Sequence, residues 1–173
     1  PARPDRFPEV VAEAGRLEWI QLPYAGIEPF VHHLDPRWTW TCGKGVYAPA
    51  VAETVMAQVL ALCKNLHEYG RANTWEGPVG RVLAGSRVTV LGGGGITRCL
   101  LPLLAPFGCD VTVVRRTEES VAGADRTITT ARLQEVLPRT DVLVLALALT
   151  SETSGIIGAS EFAALPDHAL LVN

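Results

Sequence analysis

The sequence predicts a doubly wound, parallel α/β sheet, with a remnant of a second domain ahead of it. Three observations carry that expectation. Two β-branched runs, Val88–Leu91 and Val111–Val114, flank a glycine-rich turn and an apolar segment of helical length. A third run, Asp141–Leu149, is apolar almost throughout, as expected of a parallel strand covered on both faces. The intervals between the runs exceed the roughly ten residues that a crossover between parallel strands requires.

Taken in order, residues 1–45 differ in texture from the rest. Leu17–Leu22 alternates apolar and polar like a short strand, Pro23–Gly26 makes a turn, and Trp38–Cys42 reads as a second strand. Two such strands with turn-rich connections cannot bury a core of their own, so 1–45 is assigned to a partial domain and 46–173 to the main one. From Pro49 to about Leu66 the spacing of Val51, Val55, Val59, Leu62 and Leu66 predicts a helix. Met56, Leu60 and Cys63 widen its apolar face. That breadth suits a helix lying between two bodies, either domains or subunits. Residues 70–86 are polar and glycine-punctuated, with Trp75 exposed by pattern. An exposed tryptophan in such an arm suits an interface, and with the broad helix it predicts a homodimer.

The main domain then begins. Val88–Leu91 enters Gly92–Gly95, a helical segment follows, and Val111–Val114 ends on Arg115 and Arg116. This is the strand, glycine turn, helix and strand of a dinucleotide-binding unit. Gly92 can adopt the positive φ of the turn, and Gly94 lets the backbone approach a pyrophosphate. The N–H groups opening the helix face that anion. The third glycine of the G-x-G-x-x-G spacing is replaced by Thr97, which predicts a helix displaced slightly outward. Starting instead at Gly93 and Gly95 requires a small residue where Arg98 stands. An acidic residue that binds a ribose 2′-hydroxyl belongs about 20 residues beyond the turn. Arg115 occupies that place, with Arg116 beside it, and a cation there suits a 2′-phosphate. NADP is the expected cofactor, with NAD as the alternative.

Downstream, Ala131–Leu137 reads as a short helix stopped by Pro138, and 142–147 as the strand within the third apolar run. Ser160–Leu165 reads as a helix opened by its serine, and Ala169–Val172 as a further strand. A sheet strand ending at Asn173 with no closing helix predicts that the 173 residues are a fragment of a longer protein.

Composition narrows the function. Hydrophobic residues make up 48% of the chain, enough for a core, and no apolar run reaches the ~20 residues that span a membrane. The opening PARPDRFPEV has no apolar segment of the signal-peptide kind. The net charge is −3 and the arginines are scattered, which argues against nucleic-acid binding. Cys42, Cys63, Cys99 and Cys109 lack metal-ligand spacing and sit in apolar surroundings, the usage of reduced thiols in a cytoplasmic protein. No metal site is expected.

From about Leu17 to its last residue, the chain resembles the D-isomer-specific 2-hydroxyacid dehydrogenases. Four stretches carry the resemblance in order: WIQLPYAGIEPF, GVYAPAVAE, LAGSRVTVLGGGGITRCLLPLLAPFGCDVTVVRR and TDVLVLALALTSETSGIIGASEFAALPDHALLVN. They are similar to the family's substrate loop, the start of its interdomain helix, its cofactor unit, and the strand, loop and helix before its catalytic arginine. The resemblance implies a Rossmann-like domain beside a flavodoxin-like substrate domain, with the active site in the cleft. It implies an enzyme that moves hydride between NAD(P)H and C2 of a small 2-keto or 2-hydroxy acid.

Residue by residue, Tyr24, Ala25 and Gly26 match the loop whose backbone N–H groups hold the substrate carboxylate. Gly95 and Ile96 match pyrophosphate contacts, and Arg115 the ribose position. Leu147, Ala148 and Thr153 match the loop near the adenosine and the nicotinamide ribose. The family commonly has proline where this chain has Ala148, which predicts a looser loop. Asn173 matches the first residue of the family's Asn-x-x-Arg-Gly stretch. The catalytic arginine and the Glu–His acid/base pair are therefore expected after it, and none of the 173 residues is assigned a catalytic role. Of the histidines, His32 and His33 lie nearest the substrate loop. All four, with His67 and His168, read as solvated loop or helix-end residues.

Two other function classes use similar patterns. A non-catalytic dinucleotide-binding or sensor module shares the fold, and the presence of the downstream Arg, Glu and His distinguishes the enzyme from it. A methyltransferase-type glycine turn calls for an acidic residue where Arg115 stands.

Overall fold

The computed structural model describes residues 4–75 and 77–173. The first three residues of the PARPDRFPEV segment, and Glu76 of the polar arm, lie outside them. The chain divides into two compact units: 1–47 with 148–154, and 48–147 with 155–173. The division falls two residues from the boundary read in the sequence, and it moves a seven-residue loop into the first unit.

The first unit contains helix α1 (Phe7–Glu13) and two parallel strands, β1 (Trp19–Leu22) and β2 (Thr39–Cys42), paired Trp19 to Thr39 through Leu22 to Cys42. A turn of 3-10 helix, Glu28–His33, connects them and buries Phe30. Phe7 of α1 stands edge-on to Phe30 at 5.7 Å and lies 5.6 Å from the ring of Trp40, so aromatic packing holds the helix against the strand pair. Trp19 Nε1 donates to Thr41 Oγ1 at 2.8 Å across the two strands. The small unit thus draws its cohesion from rings and cross-strand bonds, with only Leu22 and Phe30 buried among the large apolar side chains of its described residues.

The second unit opens with α2 (Ala48–Cys63) and a single turn, α3 (Leu66–Tyr69). The expected helix to Leu66 is broken at Asn65, which takes the left-handed conformation at φ 55°. Its inward stripe is Ala52, Val55, Met56, Val59 and Cys63, while Val51 and Leu62 face outward. The apolar face is therefore turned by about one residue from the 51/55/59/62 reading. The small Ala52, which a hydrophobic count overlooks, is fully buried in the core.

The sheet follows: β3 (Arg87–Leu91), α4 (Gly95–Leu104), β4 (Asp110–Arg115), β5 (Arg126–Thr129), α5 (Leu133–Val136), β6 (Val142–Leu145), α6 (Ala159–Ala164) and β7 (Leu170–Val172). All neighbours are parallel, in the order β5-β4-β3-β6-β7. Side chains alternate between the faces as the pleat requires. Val88, Val90, Val111, Val113, Val142 and Val144 pack with α2 and α4. Leu91, Val114 and Leu143 pack with Ile128, Leu133, Val136 and Leu137 on the other face. The sheet is doubly wound, as expected.

Four local expectations are corrected. The polar strand β5 was not anticipated, because only Ile128 of its four residues is apolar and buried. The apolar run 141–149 forms a strand only to Leu145. Its later residues leave the sheet, and Leu149 is 64% exposed. Pro138 does not end the 131–137 helix from outside. It lies within a closing 3-10 turn, Leu137–Arg139, after the short α5. Helix α6 opens on Gly158 rather than Ser160, and Glu161 Oε2 accepts the Gly158 N–H at 2.8 Å. That bond, with a second from the Ser160 hydroxyl, holds the Glu161 carboxyl below its usual range. Among the described residues no helix is long and apolar enough to cross a membrane.

Candidate cofactor site

In an open parallel sheet, ligands bind beyond the carboxyl ends of the strands, where the direction of winding reverses. Here the chain winds one way through β3, β4 and β5 and the other way through β6 and β7, so the reversal lies between β3 and β6. The glycine turn stands at that point. Gly92 N–H donates to Val114 O at 2.7 Å, and Ala146 N–H donates to Leu91 O at 2.8 Å, which ties the ends of β4, β3 and β6 together. Gly92 has φ +104°, and a Cβ there would stand 2.5 Å from Ala146 O. Only glycine meets both demands.

Gly94 is the N-cap of α4, and nothing lies within 4 Å of a Cβ built on it. No side chain caps the helix, and no acidic residue stands in its first turn. Gly95 and Ile96 are the first two helical residues. The positive end of α4, with its unpaired N–H groups, thus opens onto free space behind a residue without a side chain. This is the chemistry of an anion cradle, and it fits a dinucleotide pyrophosphate. Thr97 does not act as a misplaced third glycine. It is fully buried, and its Oγ1 donates to Gly92 O at 2.6 Å, fastening the helix to the turn.

Arg115 ends β4, and its side chain is half-buried beside Gly93 of the turn. Its Nη1 donates to Glu119 O at 3.1 Å, and its Nη2 lies 3.3 Å from Glu119 Oε2. Arg116 is exposed. Leu147, two residues past β6, packs half-buried against the second apolar cluster. Gly92, Gly94, Gly95, Ile96, Arg115, Arg116 and Leu147 therefore gather around the carboxyl ends of three adjacent strands.

The remaining expected residues belong to the first unit. Tyr24, Ala25 and Gly26 form an exposed turn after β1, and the Gly43 N–H holds it from β2 by donating to Leu22 O at 3.1 Å and Tyr24 O at 3.2 Å. A Cβ on Gly43 would stand 2.6 Å from Pro23 O, so this close approach needs glycine. Ala25, Ile27, Glu28, Val31 and His32 line one wall of an open cleft. Ala148, Leu149, Thr150, Ser151 and Ser154 line the other. The loop is tied despite its alanine at 148, since Thr153 Oγ1 donates to Ala148 O at 2.6 Å and accepts the Thr150 N–H at 2.8 Å.

Sequence reasoning placed His32 and His33 nearest the substrate loop, and of the two only His32 lines this cleft; it missed Glu28 and Val31, which have no motif of their own. His33 instead packs on Phe7 at 5.2 Å, His67 pairs with Glu68 at 3.3 Å, and His168 bonds Asp141 at 2.9 Å. The four cysteines are free thiols, and burial pushes the Cys109 thiol upward.

The family model described as D-isomer specific 2-hydroxyacid dehydrogenase, NAD binding domain, matches residues 55–173. The "uncharacterized protein in proB 3'region" of Corynebacterium melassecola is 31% identical over 166 residues, 91% of this chain and 54% of that protein. A D-isomer specific 2-hydroxyacid dehydrogenase family protein from Aeromonas salmonicida superposes with a TM-score of 0.87 at 28% identity, covering 98% of this chain and 56% of the other. The D-isomer specific 2-hydroxyacid dehydrogenase from Xanthobacter autotrophicus Py2, solved with NADPH and MES, gives a TM-score of 0.77 at 28% identity, with coverages of 91% and 51%. The chain spans about half the length of these proteins.

Proposed function

Because this chain belongs to the D-isomer specific 2-hydroxyacid dehydrogenase family, we propose that the whole protein is an NAD(P)-dependent oxidoreductase acting at C2 of a small 2-keto or 2-hydroxy acid. The observation that carries the reading is the uncapped, glycine-fronted start of α4 at the point where the sheet reverses its winding. A bound nicotinamide supplies or takes up the hydride. What this chain contributes is position. The N–H groups of Gly95 and Ile96 hold the pyrophosphate, Gly94 leaves room for it, and Leu147 bounds the site on the β6 side.

Residues 1–45 belong on this reading to a substrate domain, and 46–173 to the cofactor domain. Tyr24, Ala25 and Gly26 offer backbone N–H groups to the substrate carboxylate, with Ala148 and Thr153 shaping the opposite loop. Arg115 and Arg116 select NADP(H) over NAD(H), because a planar cation offers paired donors to a 2′-phosphate dianion. The protein works as a homodimer, in the cytoplasm, where its four thiols stay reduced.

The test is calorimetric titration of the purified protein with NADPH and NADH at fixed ionic strength, followed by oxidation of the preferred cofactor against a panel of 2-keto acids. Tighter binding of NADPH and turnover with at least one 2-keto acid are expected. Failure to bind either dinucleotide overturns the proposal. Binding without turnover on any acid points to the sensor module instead.

A further inference from the structure

Arg115 is a cation that already has a partner. Two of its guanidinium nitrogens engage Glu119, one at the backbone carbonyl and one at the carboxylate. The side chain of Glu119 is 76% exposed, whereas that of Arg115 is 23% exposed. The arginine stem crosses the glycine turn, since a Cβ on Gly93 would stand 3.2 Å from Arg115 Cδ. The guanidinium is therefore held above the turn by a carboxylate four residues on. Its neighbour Arg116 makes no ion pair among the described residues.

We infer that Glu119 tunes cofactor discrimination by competing with the ligand's 2′-phosphate for Arg115. The inference rests on the assignment of Arg115 to the ribose position proposed above. A phosphate dianion and a carboxylate both seek the same donors, and they repel each other when brought to one guanidinium. The exposed ion pair is weak, worth at most about fivefold in an equilibrium constant. A dianion displaces it, but binding is weakened by the bond that must be given up and by the residual repulsion. Ligands lacking the 2′-phosphate do not ask Arg115 to let go, and so are indifferent to Glu119. Glu119 is thus a specificity-determining residue that holds Arg115 in place and moderates its preference.

Adenosine 2′,5′-bisphosphate and adenosine 5′-monophosphate separate this effect from a structural one, because they differ only at the group in question. Calorimetry on the purified wild type, Glu119→Gln and Glu119→Asp is the experiment. Glu119→Gln should bind the bisphosphate about three- to tenfold more tightly than wild type and the monophosphate unchanged. The gain should shrink as salt is raised, since the Glu119 carboxylate is exposed. Glu119→Asp, which keeps the charge, should stay near wild type.

An equal gain for both ligands, or a gain in the aspartate variant as large as in the glutamine variant, overturns the inference. So does unchanged or weaker bisphosphate binding in Glu119→Gln. If wild type still favours the bisphosphate in that case, the assignment of Arg115 stands and only the role of Glu119 is lost. If wild type binds both ligands alike, the proposed NADP preference fails. The role of Glu119 then survives only if the glutamine variant acquires the preference, and otherwise both fall together.

Discussion

A methyl group added at Gly92 meets backbone, while one added at Gly94 meets nothing, and this contrast separates folding from binding at the residue scale. Gly92→Ala forces a Cβ to 2.5 Å from Ala146 O at φ +104°, and neither partner is a side chain that can swing away. It should destabilise the protein by more than ~1 kcal/mol in denaturant unfolding. Gly94→Ala, at φ −83°, should leave stability within ~0.5 kcal/mol of wild type. Its methyl group occupies the space before α4, so dinucleotide affinity should fall about tenfold or more. Unchanged affinity for NADPH in Gly94→Ala by calorimetry would remove the cradle from the reading. The cation at 115 is the second test. Arg115→Asp removes a charge-assisted contact worth about 1.5–3 kcal/mol, so NADP(H) binding should weaken roughly 10- to 150-fold while NAD(H) is spared. The glycines and the terminal arginine were legible because residue type states the requirement directly: a positive φ, an open approach, a cation at a strand end. Thr97 looked like a defect because the bond from its hydroxyl to Gly92 O depends on the path of the turn, which a spacing rule does not contain. The Arg115–Glu119 pair joins a strand end to the irregular chain after it, where no periodicity announces a contact.

Among the elements, β3, β6 and β7 are joined at their amino ends by one carboxylate. Asp141 accepts from Arg87 Nε at 3.0 Å and Nη2 at 2.9 Å, from the Arg87 N–H at 2.8 Å, and lies 2.9 Å from His168 Nε2. Arg87 first, and then the backbone and His168 bonds, hold the Asp141 carboxyl well below the usual carboxylate range despite partial burial. A carboxylate whose pKa is depressed on folding contributes stability that is fully present above its unfolded pKa of about 3.9. That contribution is lost as pH falls below it towards the folded value. Wild type should therefore lose stability as pH falls below about 4, and Asp141→Asn should be less stable at neutral pH with a shallower loss over that range. Parallel pH dependences of denaturant stability in the two proteins would show that Asp141 does not carry the effect. This end of the sheet is opposite the candidate cofactor site, so the substitution tests architecture alone. The strands that build it were legible where both faces are apolar, as in Val88–Leu91, Val111–Val114 and Val142–Leu145. β5 escaped because an edge strand with one buried isoleucine has too little apolar signal. The overrun past Leu145 has the opposite cause: apolar residues that line a loop and a cleft read like a continuing strand.

For the whole molecule, the stretch from α2 through the polar arm carries a series of exposed apolar side chains. Val51 and Leu62 on α2 are 37% and 38% exposed, Leu66 54%, Trp75 82%, Val79 46% and Val82 65%. Tyr69 Oη accepts the Val79 N–H at 2.8 Å, which ties Val79 to α3. A tryptophan this exposed has the character of an interface anchor. The buried side of α2 serves the protein's own core, so the outward residues are what remains for a second copy. Sedimentation velocity on wild type should accordingly show a dimer at micromolar concentration. Trp75→Ala should weaken it by about 2 kcal/mol or more, roughly 30-fold in the dissociation constant. Leu62→Asp, which places a charge on the outward face of α2, should do the same by a different route. Because Trp75 is so exposed, its truncation should leave the unfolding midpoint of the separated protomer unchanged, which distinguishes a lost interface from a lost fold. A wild-type protein that stays monomeric at high micromolar concentration would count against the dimer. It would leave Trp75 to another partner and the cofactor site to a single chain.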